Sequence, residues 1–223
     1  MERTIKVTGK GKISVKPDRI RLRISVEDMN ADYEAALKAS AEMTETLKDL
    51  FESLGFDRKD LKTLNFHVDT VYENYQASDQ SWKRRFEGYK FIHRMKLEFD
   101  ADNALLGKVL YAVANCNAKP EFSIEYTVSD PEKAKNELLG KAVADSKEKA
   151  VVLSKAAGVS LGDIITIDYS WGEIDLVTRP MNKVMLETRC MAAEPCDAGS
   201  YAIDIEAEDI EVTDTVTVIW SIS

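Results

Sequence analysis

Residues 7–27, VTGKGKISVKPDRIRLRISVE, decide how this chain folds, because Gly9-Lys10-Gly11-Lys12 is either a phosphate-cradling loop or an interruption in a β-strand. A phosphate loop needs Gly-x-x-x-x-Gly-Lys-Ser/Thr between a strand and a helix, so that backbone N–H groups and a helix N-terminus converge on the anion. This stretch has neither that spacing nor a helix after it. Ile5 and Val7, then Ile13 and Val15, alternate on either side of the glycines; Pro17-Asp18 makes a turn, and Ile20, Leu22, Ile24 and Val26 alternate again. The stretch therefore reads as two consecutive strands, with Gly9 and Gly11 at a bulge or a close backbone approach.

From Asn30 the period becomes helical, with Ala36, Met43, Leu47, Leu50, Phe51 and Leu54 on one stripe and Gly55 as the C-terminal cap. Leu61 to Tyr75 and Phe86 to Phe99 read as strands joined in a hairpin across the polar stretch Gln76 to Ser81. Asp102 or Asn103 caps a shorter helix carrying Leu105, Leu106, Val109, Leu110 and Val113, and Phe122, Ile124, Tyr126 and Val128 alternate as the next strand. The order β-α-β-β-α-β is the split βαβ, or ferredoxin-like, arrangement. Asp130 as cap and Pro131 at the first helical position open another helix, whose expected inner face is Leu139, Val143, Ser146, Ala150, Leu153 and Ala157 before Gly158. Ile164, Ile165 and Ile167 begin a strand, and Ile210, Val212, Val216, Val218, Trp220 and Ile222 alternate to the end. The expected fold class is α+β: a ferredoxin-like βαββαβ subdomain over 18–129, and a second α/β subdomain formed by residues 1–17 and 130–223, in which the terminal strands pair.

The chain has 223 residues, 44% of them hydrophobic and 31% charged, which supports a sizeable core. Its formal charge of −9 opposes the attraction that drives non-specific nucleic-acid binding and is repelled by an anionic membrane surface. No apolar run of about 18 residues is present, so membrane insertion is not expected. Met1-Glu2-Arg3-Thr4-Ile5 lacks the apolar core of a signal peptide, and Cys116, Cys190 and Cys196 lack Cys-x-x-Cys spacing; both point to a reducing, cytoplasmic setting.

The candidate chemistry is sparse. His67 and His93 each stand alone in an alternating strand, so satisfied or surface positions fit them better than metal ligation. Cys190 and Cys196 form a conceivable oxidisable pair. The acidic run of Asp204, Glu206, Glu208, Asp209, Glu211 and Asp214 reads as a solvated strand edge rather than a cation site. Glu87-Gly88-Tyr89-Lys90-Phe91-Ile92 partly fits the aromatic signature of RNA-recognition motifs, but its leading residue is acidic and Ile20 to Val26 offers no aromatic to stack a second base. Tyr89 and His93 share one strand face and Glu98 takes the other, so spacing supports no acid–base pair. No catalytic, cofactor-binding or metal-ligating residue is assigned, and no cofactor is implied.

Val7-x-Gly9-x-Gly11 leading to Pro17-Asp18, Leu61-x-Thr63, Gly88-Tyr89, and the segment Ala142 to Gly162 with its helix end KAVVLSKAAGVSLGDI (149–164) together resemble the SIMPL-domain family, a domain of unknown function. That family includes bacterial periplasmic immunogenic proteins and a mammalian kinase-associated signalling protein. This chain departs from its pattern at Ala207-Glu208, where relatives carry Pro-Gly, and at Asp214, where a small residue is usual. The resemblance implies an α+β fold, ring-like or channel-like homo-oligomers in some relatives, and a loose link to stress tolerance and envelope physiology, with no established active site. The expected function is thus that of a non-enzymatic, self-associating protein. The alternative is a small-ligand or protein-partner module using the segment Met181 to Met191 as an adaptable apolar surface.

Overall fold

The computed structural model describes residues 3–78, 80–169, 176–178 and 205–223. In chain order the elements are β1 (Thr4–Val15), β2 (Arg19–Asn30), α1 (Tyr33–Ser53), a 3-10 turn (Arg58–Asp60), β3 (Lys62–Gln76), β4 (Trp82–Asp100), α2 (Asn103–Ala114), β5 (Glu121–Thr127), α3 (Pro131–Ala156), β6 (Leu161–Asp168) and β7 (Ile210–Ile222). The class is α+β, with two sheets ordered β1-β7-β6 and β3-β4-β2-β5. Two compact units result: the first comprises Met1–Asp18, Thr127–Thr178 and Ala207–Ser223, the second Arg19–Tyr126 and Arg179–Glu206.

In the first unit β1 pairs antiparallel with β7 along its whole length, from Thr4↔Ser221 to Val15↔Ile210. The opening glycines face α3 there. A Cβ on Gly9 would lie 2.0 Å from the Ala142 carbonyl oxygen, and one on Gly11 would lie 2.3 Å from that of Leu138, so any side chain would force the helix off the strand. This is the close approach that the spacing predicts. The matching stripe on α3 is Ala134, Leu138, Ala142, Ser146, Ala150 and Ser154, every fourth residue, all buried. Such rows run oblique to the helix axis and fit a groove in the facing layer.

Ser146 and Ala150 of the expected α3 face are fully buried, but Leu139 and Val143 lie only at the margin of the core, and Leu153 is 49% exposed. The smallest side of the helix is buried, rather than the most apolar side, because contact at backbone distance admits only small residues. Ser146 resolves its own burial by donating from Oγ to the Val7 carbonyl at 3.3 Å. The caps follow the sequence: Asp130 accepts from the Lys133 N–H at 2.9 Å with Pro131 behind it. At the far end Gly158 takes φ 69°, and the Val159 N–H reaches the Ser154 carbonyl at 3.0 Å, a Schellman closure.

Strand β7 lies in the middle of its sheet, between β1 and β6, so the reading of the acidic run as a strand edge is corrected. Its charges are used locally. Glu211 pairs with Lys12 at 2.9 Å, and Asp209 accepts from the Ser14 hydroxyl at 3.2 Å. Asp214 lies opposite Gly11 in the register, among the α3-facing positions of β7.

The second unit is built with large side chains. Ile20, Leu22, Ile24 and Val26 of β2 and Phe91, Met95, Leu97 and Phe99 of β4 are buried at alternate positions, as period-2 patterning requires. Helix α1, capped by Asp32, packs on β2 and β4 and buries Ala36, Ser40, Leu47 and Phe51, while Met43, Leu50 and Leu54 stay half-buried. Asp102 caps α2, which buries Leu106, Val109, Leu110 and Val113. Full burial of each such side chain is worth about 1.5–3 kcal/mol.

Candidate interaction surface

Strand β2 pairs with β4 only as far as Asn30↔Tyr89, whereas β3 and β4 go on pairing from Val71↔Gly88 to Gln76↔Trp82. The hairpin therefore leaves the sheet as a two-stranded ribbon. Gly88 marks the departure point, next to a register shift between Val71 and Tyr72; a Cβ there would lie 2.5 Å from the Asn30 carbonyl oxygen. The ribbon closes through Ala77 to Ser81, where the Ala77 N–H donates to the Ser81 carbonyl at 2.9 Å.

Alternation sorts the ribbon residues onto two faces. Tyr72, Asn74, Gln76, Trp82, Arg84 and Phe86 share one, since Tyr72 opposes Phe86 and Gln76 opposes Trp82. The rings form a chain of edge contacts: Tyr72 to Phe86 at 5.7 Å, Phe86 to Tyr89 at 5.2 Å, and Tyr89 to Tyr33 at 5.3 Å, with the Arg84 guanidinium 4.6 Å over Tyr72. On the other face Arg85 pairs with Glu73 at 2.5 Å. Each ring pair contributes about 0.5–1.5 kcal/mol beyond area burial, which stiffens a ribbon that would be marginal alone in water. The rings remain open to solvent nonetheless. Trp82 is 72% exposed, Tyr72 45% and Phe86 43%.

The sequence reading begins this strand at Phe86 and so misses Trp82 to Arg85. The overlooked signal was alternation of a different kind, Trp82, Arg84 and Phe86 against Lys83 and Arg85, in which long cations hide the period of the rings.

The other candidates resolve individually. His93 is buried and its ring is fully bonded: Nδ1 lies 3.1 Å from the Thr44 hydroxyl and Nε2 lies 2.8 Å from that of Thr63. Thr44 donates its own proton to the Ser40 carbonyl at 2.8 Å, so Nδ1 is the donor and Nε2 accepts from Thr63. Burial, reinforced by the nearby Lys48 ammonium, lowers the His93 pKa and keeps it neutral. His67 lies 3.5 Å from Asp69 on the exposed hairpin.

Phe91, in the stretch compared with RNA-recognition motifs, is wholly buried and unable to stack a base. Glu98 accepts from Arg21 at 2.7 Å and Lys96 at 2.8 Å; burial raises its pKa, but these bonds outweigh that and lower it. Glu125, with a side chain 5% exposed, is neutralised by Arg23 at 2.7 Å and Arg21 at 3.9 Å. These are mutually compensated charges rather than an acid–base pair. Among the described residues no group of three or more His, Cys, Asp or Glu is placed to hold a metal ion, and no helix is long and apolar enough to cross a membrane. Cys116 is buried and free. Cys190, Cys196, Asp204 and the Met181 to Met191 segment lie outside the described residues.

A family model described as SIMPL, protein of unknown function (DUF541), matches residues 5–220. The chain belongs to the SIMPL family. It is 24% identical to a 26 kDa periplasmic immunogenic protein of Brucella melitensis, over 98% of this chain and 84% of that one. A protein of the same name from Brucella abortus matches at 24%, and an uncharacterized protein, YggE, of Edwardsiella ictaluri matches at 25%, over 97% of this chain and 85% of the relative. None of these relatives is named as an enzyme.

The family resemblance now has physical content. Gly9 and Gly11 admit α3, Thr63 bonds His93, Gly88 releases the ribbon, and Gly158 closes α3. The Asp18 carboxylate accepts from the Ser129 N–H at 2.7 Å and hydroxyl at 2.6 Å, fixing the Pro17-Asp18 turn. The relatives also overturn the cytoplasmic expectation, since two of them are named periplasmic. Targeting segments are removed from mature chains, so the opening residues carried no information about compartment.

Proposed function

We propose that this SIMPL protein is a non-catalytic, self-associating protein of the periplasm, with the β3–β4 ribbon as a docking arm. The observation that carries this reading is the row of open rings, Trp82, Phe86 and Tyr72, on a ribbon that leaves its sheet. Exposed aromatics of this kind, with Arg, are the side chains that dominate protein–protein contacts. The compensated ion pairs and the doubly bonded neutral His93 support a non-catalytic role, and no catalytic or cofactor residue is assigned. The names of the Brucella relatives support the compartment, and the family resemblance supports a role in envelope physiology under stress.

Light scattering coupled to size exclusion tests the proposal. The wild type is expected at a discrete multiple of 25.0 kDa, and Trp82→Ser/Tyr72→Ser at a lower multiple with unchanged circular dichroism. A wild type that stays monomeric at every concentration overturns self-association. An unchanged mass for the double variant removes the ribbon from it.

A further inference from the structure

The residues that alternate with the buried positions of β2 and β4 form the face of the second unit's sheet turned away from its helices. Across that face the register sets Lys62 of β3, Lys96 of β4 and Arg23 of β2 in one lateral row, and Asn65, Arg94 and Ser25 in the next. Like charges directly opposite each other destabilise a sheet. Here they occur twice in succession, Lys62 against Lys96 and Lys96 against Arg23.

A bulge completes the second row. Plain alternation from Lys62 would put Leu64 on this face and Asn65 on the other. The register shift between Thr63 and Asn65 inserts Leu64 and brings Asn65 opposite Arg94 instead. Bulges re-aim side chains in this way, and the result is an amide on one side of the Arg94 guanidinium and the Ser25 hydroxyl on the other.

Carboxylates do not balance these cations. Glu98 is shared by Arg21 at 2.7 Å and Lys96 at 2.8 Å, and Glu125 by Arg23 at 2.7 Å and Arg21 at 3.9 Å. Lys62 and Arg94 are exposed, and among the described residues neither has an ion-pair partner. Five cations therefore meet two carboxylates, in a chain whose formal charge is −9. The charges around them are closed: Arg19 pairs with Asp100 at 3.3 Å, Lys90 with Glu27 at 2.8 Å, and His67 lies 3.5 Å from Asp69. A cavity of about 100 Å³ beside Lys62 and Lys96 is lined by Asp60 and Glu98 as well, which oppose an anion there. The uncompensated charge thus centres on Arg94.

We infer that this patch binds a small soluble anion bearing phosphoryl groups, held over Arg94 on the open face of the sheet. Arg94 supplies the planar fork that meets two phosphoryl oxygens at once, and Lys62 and Lys96 flank it as point charges. The Asn65 amide and the Ser25 hydroxyl donate to the remaining oxygens. A phosphoryl group carries about 1.5–2 negative charges at neutral pH, so one or two of them take up the excess. Acids border the patch along the strands in both directions, Glu98 and Asp100 on one side and Glu27 and Asp69 on the other. A polyanion or an anionic bilayer would meet those acids and the negative charge of the whole chain, whereas a small ion avoids them. The site needs neither the ribbon nor a second copy, so it stands or falls apart from self-association.

Calorimetric titration of the full chain with inorganic pyrophosphate tests the inference. Saturable binding is expected, weakened at least about tenfold by Arg94→Gln, less by Lys62→Gln, and unchanged by Lys90→Gln, whose cation is already paired. Amide chemical shifts of the wild type read the same site without a variant: pyrophosphate is expected to move Arg23, Ser25, Asn65 and Arg94 and to leave Val216 and Trp220 in place.

No saturable heat at millimolar pyrophosphate overturns the inference, as does a loss in Lys90→Gln equal to that in Arg94→Gln. Malonate binding as tightly as pyrophosphate overturns the phosphoryl class. Sedimentation with phosphatidylglycerol vesicles that Arg94→Gln abolishes, in the absence of pyrophosphate binding, assigns the patch to a lipid surface and overturns the small ligand.

Discussion

In the first unit α3 meets β1 through Gly9, Gly11, Ala142 and Ser146, at distances where a single added methyl collides with backbone. In the second, α1 turns Leu47 and Phe51 towards a sheet face made of Ile20, Leu22, Ile24, Phe91 and Leu97, all essentially buried. Rings continue that core, with Phe51 6.2 Å from Phe56 and Phe56 5.5 Å from Phe99. One helix seam is held by backbone proximity and the other by side-chain volume. The two should therefore fail under opposite substitutions, additions in the first and deletions in the second.

The largest effect is expected from Phe51→Ala, which empties a filled site and should cost about 3–5 kcal/mol in urea unfolding followed by far-ultraviolet circular dichroism. A loss below about 1 kcal/mol would mean that volume does not hold the second unit together. Next comes Gly9→Ala, where the new methyl meets the Ala142 carbonyl at 2.0 Å. Overpacking of that kind costs about 1–3 kcal/mol or more. Fluorescence of Trp220, buried in the first unit's core, should report earlier unfolding, and a neutral outcome would break the comparison.

The smallest effect is a pH dependence. Both histidines of the chain, His67 and His93, belong to the second unit. Burial and Lys48 lower the His93 pKa in the folded state, so the unfolded chain binds that proton more readily. The stability from neutral His93 is fully present above the unfolded value of about 6.5 and is lost as pH falls through the lowered value. Mild acid should thus loosen the second unit before the first, and His93→Gln should flatten that dependence. Equal softening of both units in amide exchange at pH 5.5 and 7.5 would assign it elsewhere.

Much of the fold was legible because it depends on local chemistry. Asp130-Pro131 starts α3 and Pro17-Asp18 turns the chain through bonds made within a few residues or to one neighbour. Alternation located every strand of the second unit. The inner face of α3 was only partly legible: Ser146 and Ala150 were placed on it, but apolar periodicity finds the greasiest stripe and chose Leu139, Val143 and Leu153 over Ala134, Leu138 and Ala142. Strand order is equally silent in a single chain, which is why β7, with its acidic start, was read as an edge and lies at the centre. The ribbon was half legible: its rings are ordinary strand residues, and only the end of β2 at Asn30 shows that they project.

The central place of β7 bears on how the molecule is made. Among the described residues β1 and β6 do not pair with each other, and each finds its ladder on β7. A ribosome extrudes β1 before the other strands and helices and β7 after them, so Gly9 and its strand wait, unladdered, through nearly all of synthesis. The elements of the second unit emerge together and have their partners at hand. A nascent chain stalled before Ile210 would then carry one finished half and one open strand, the state in which a chaperone has most to hold.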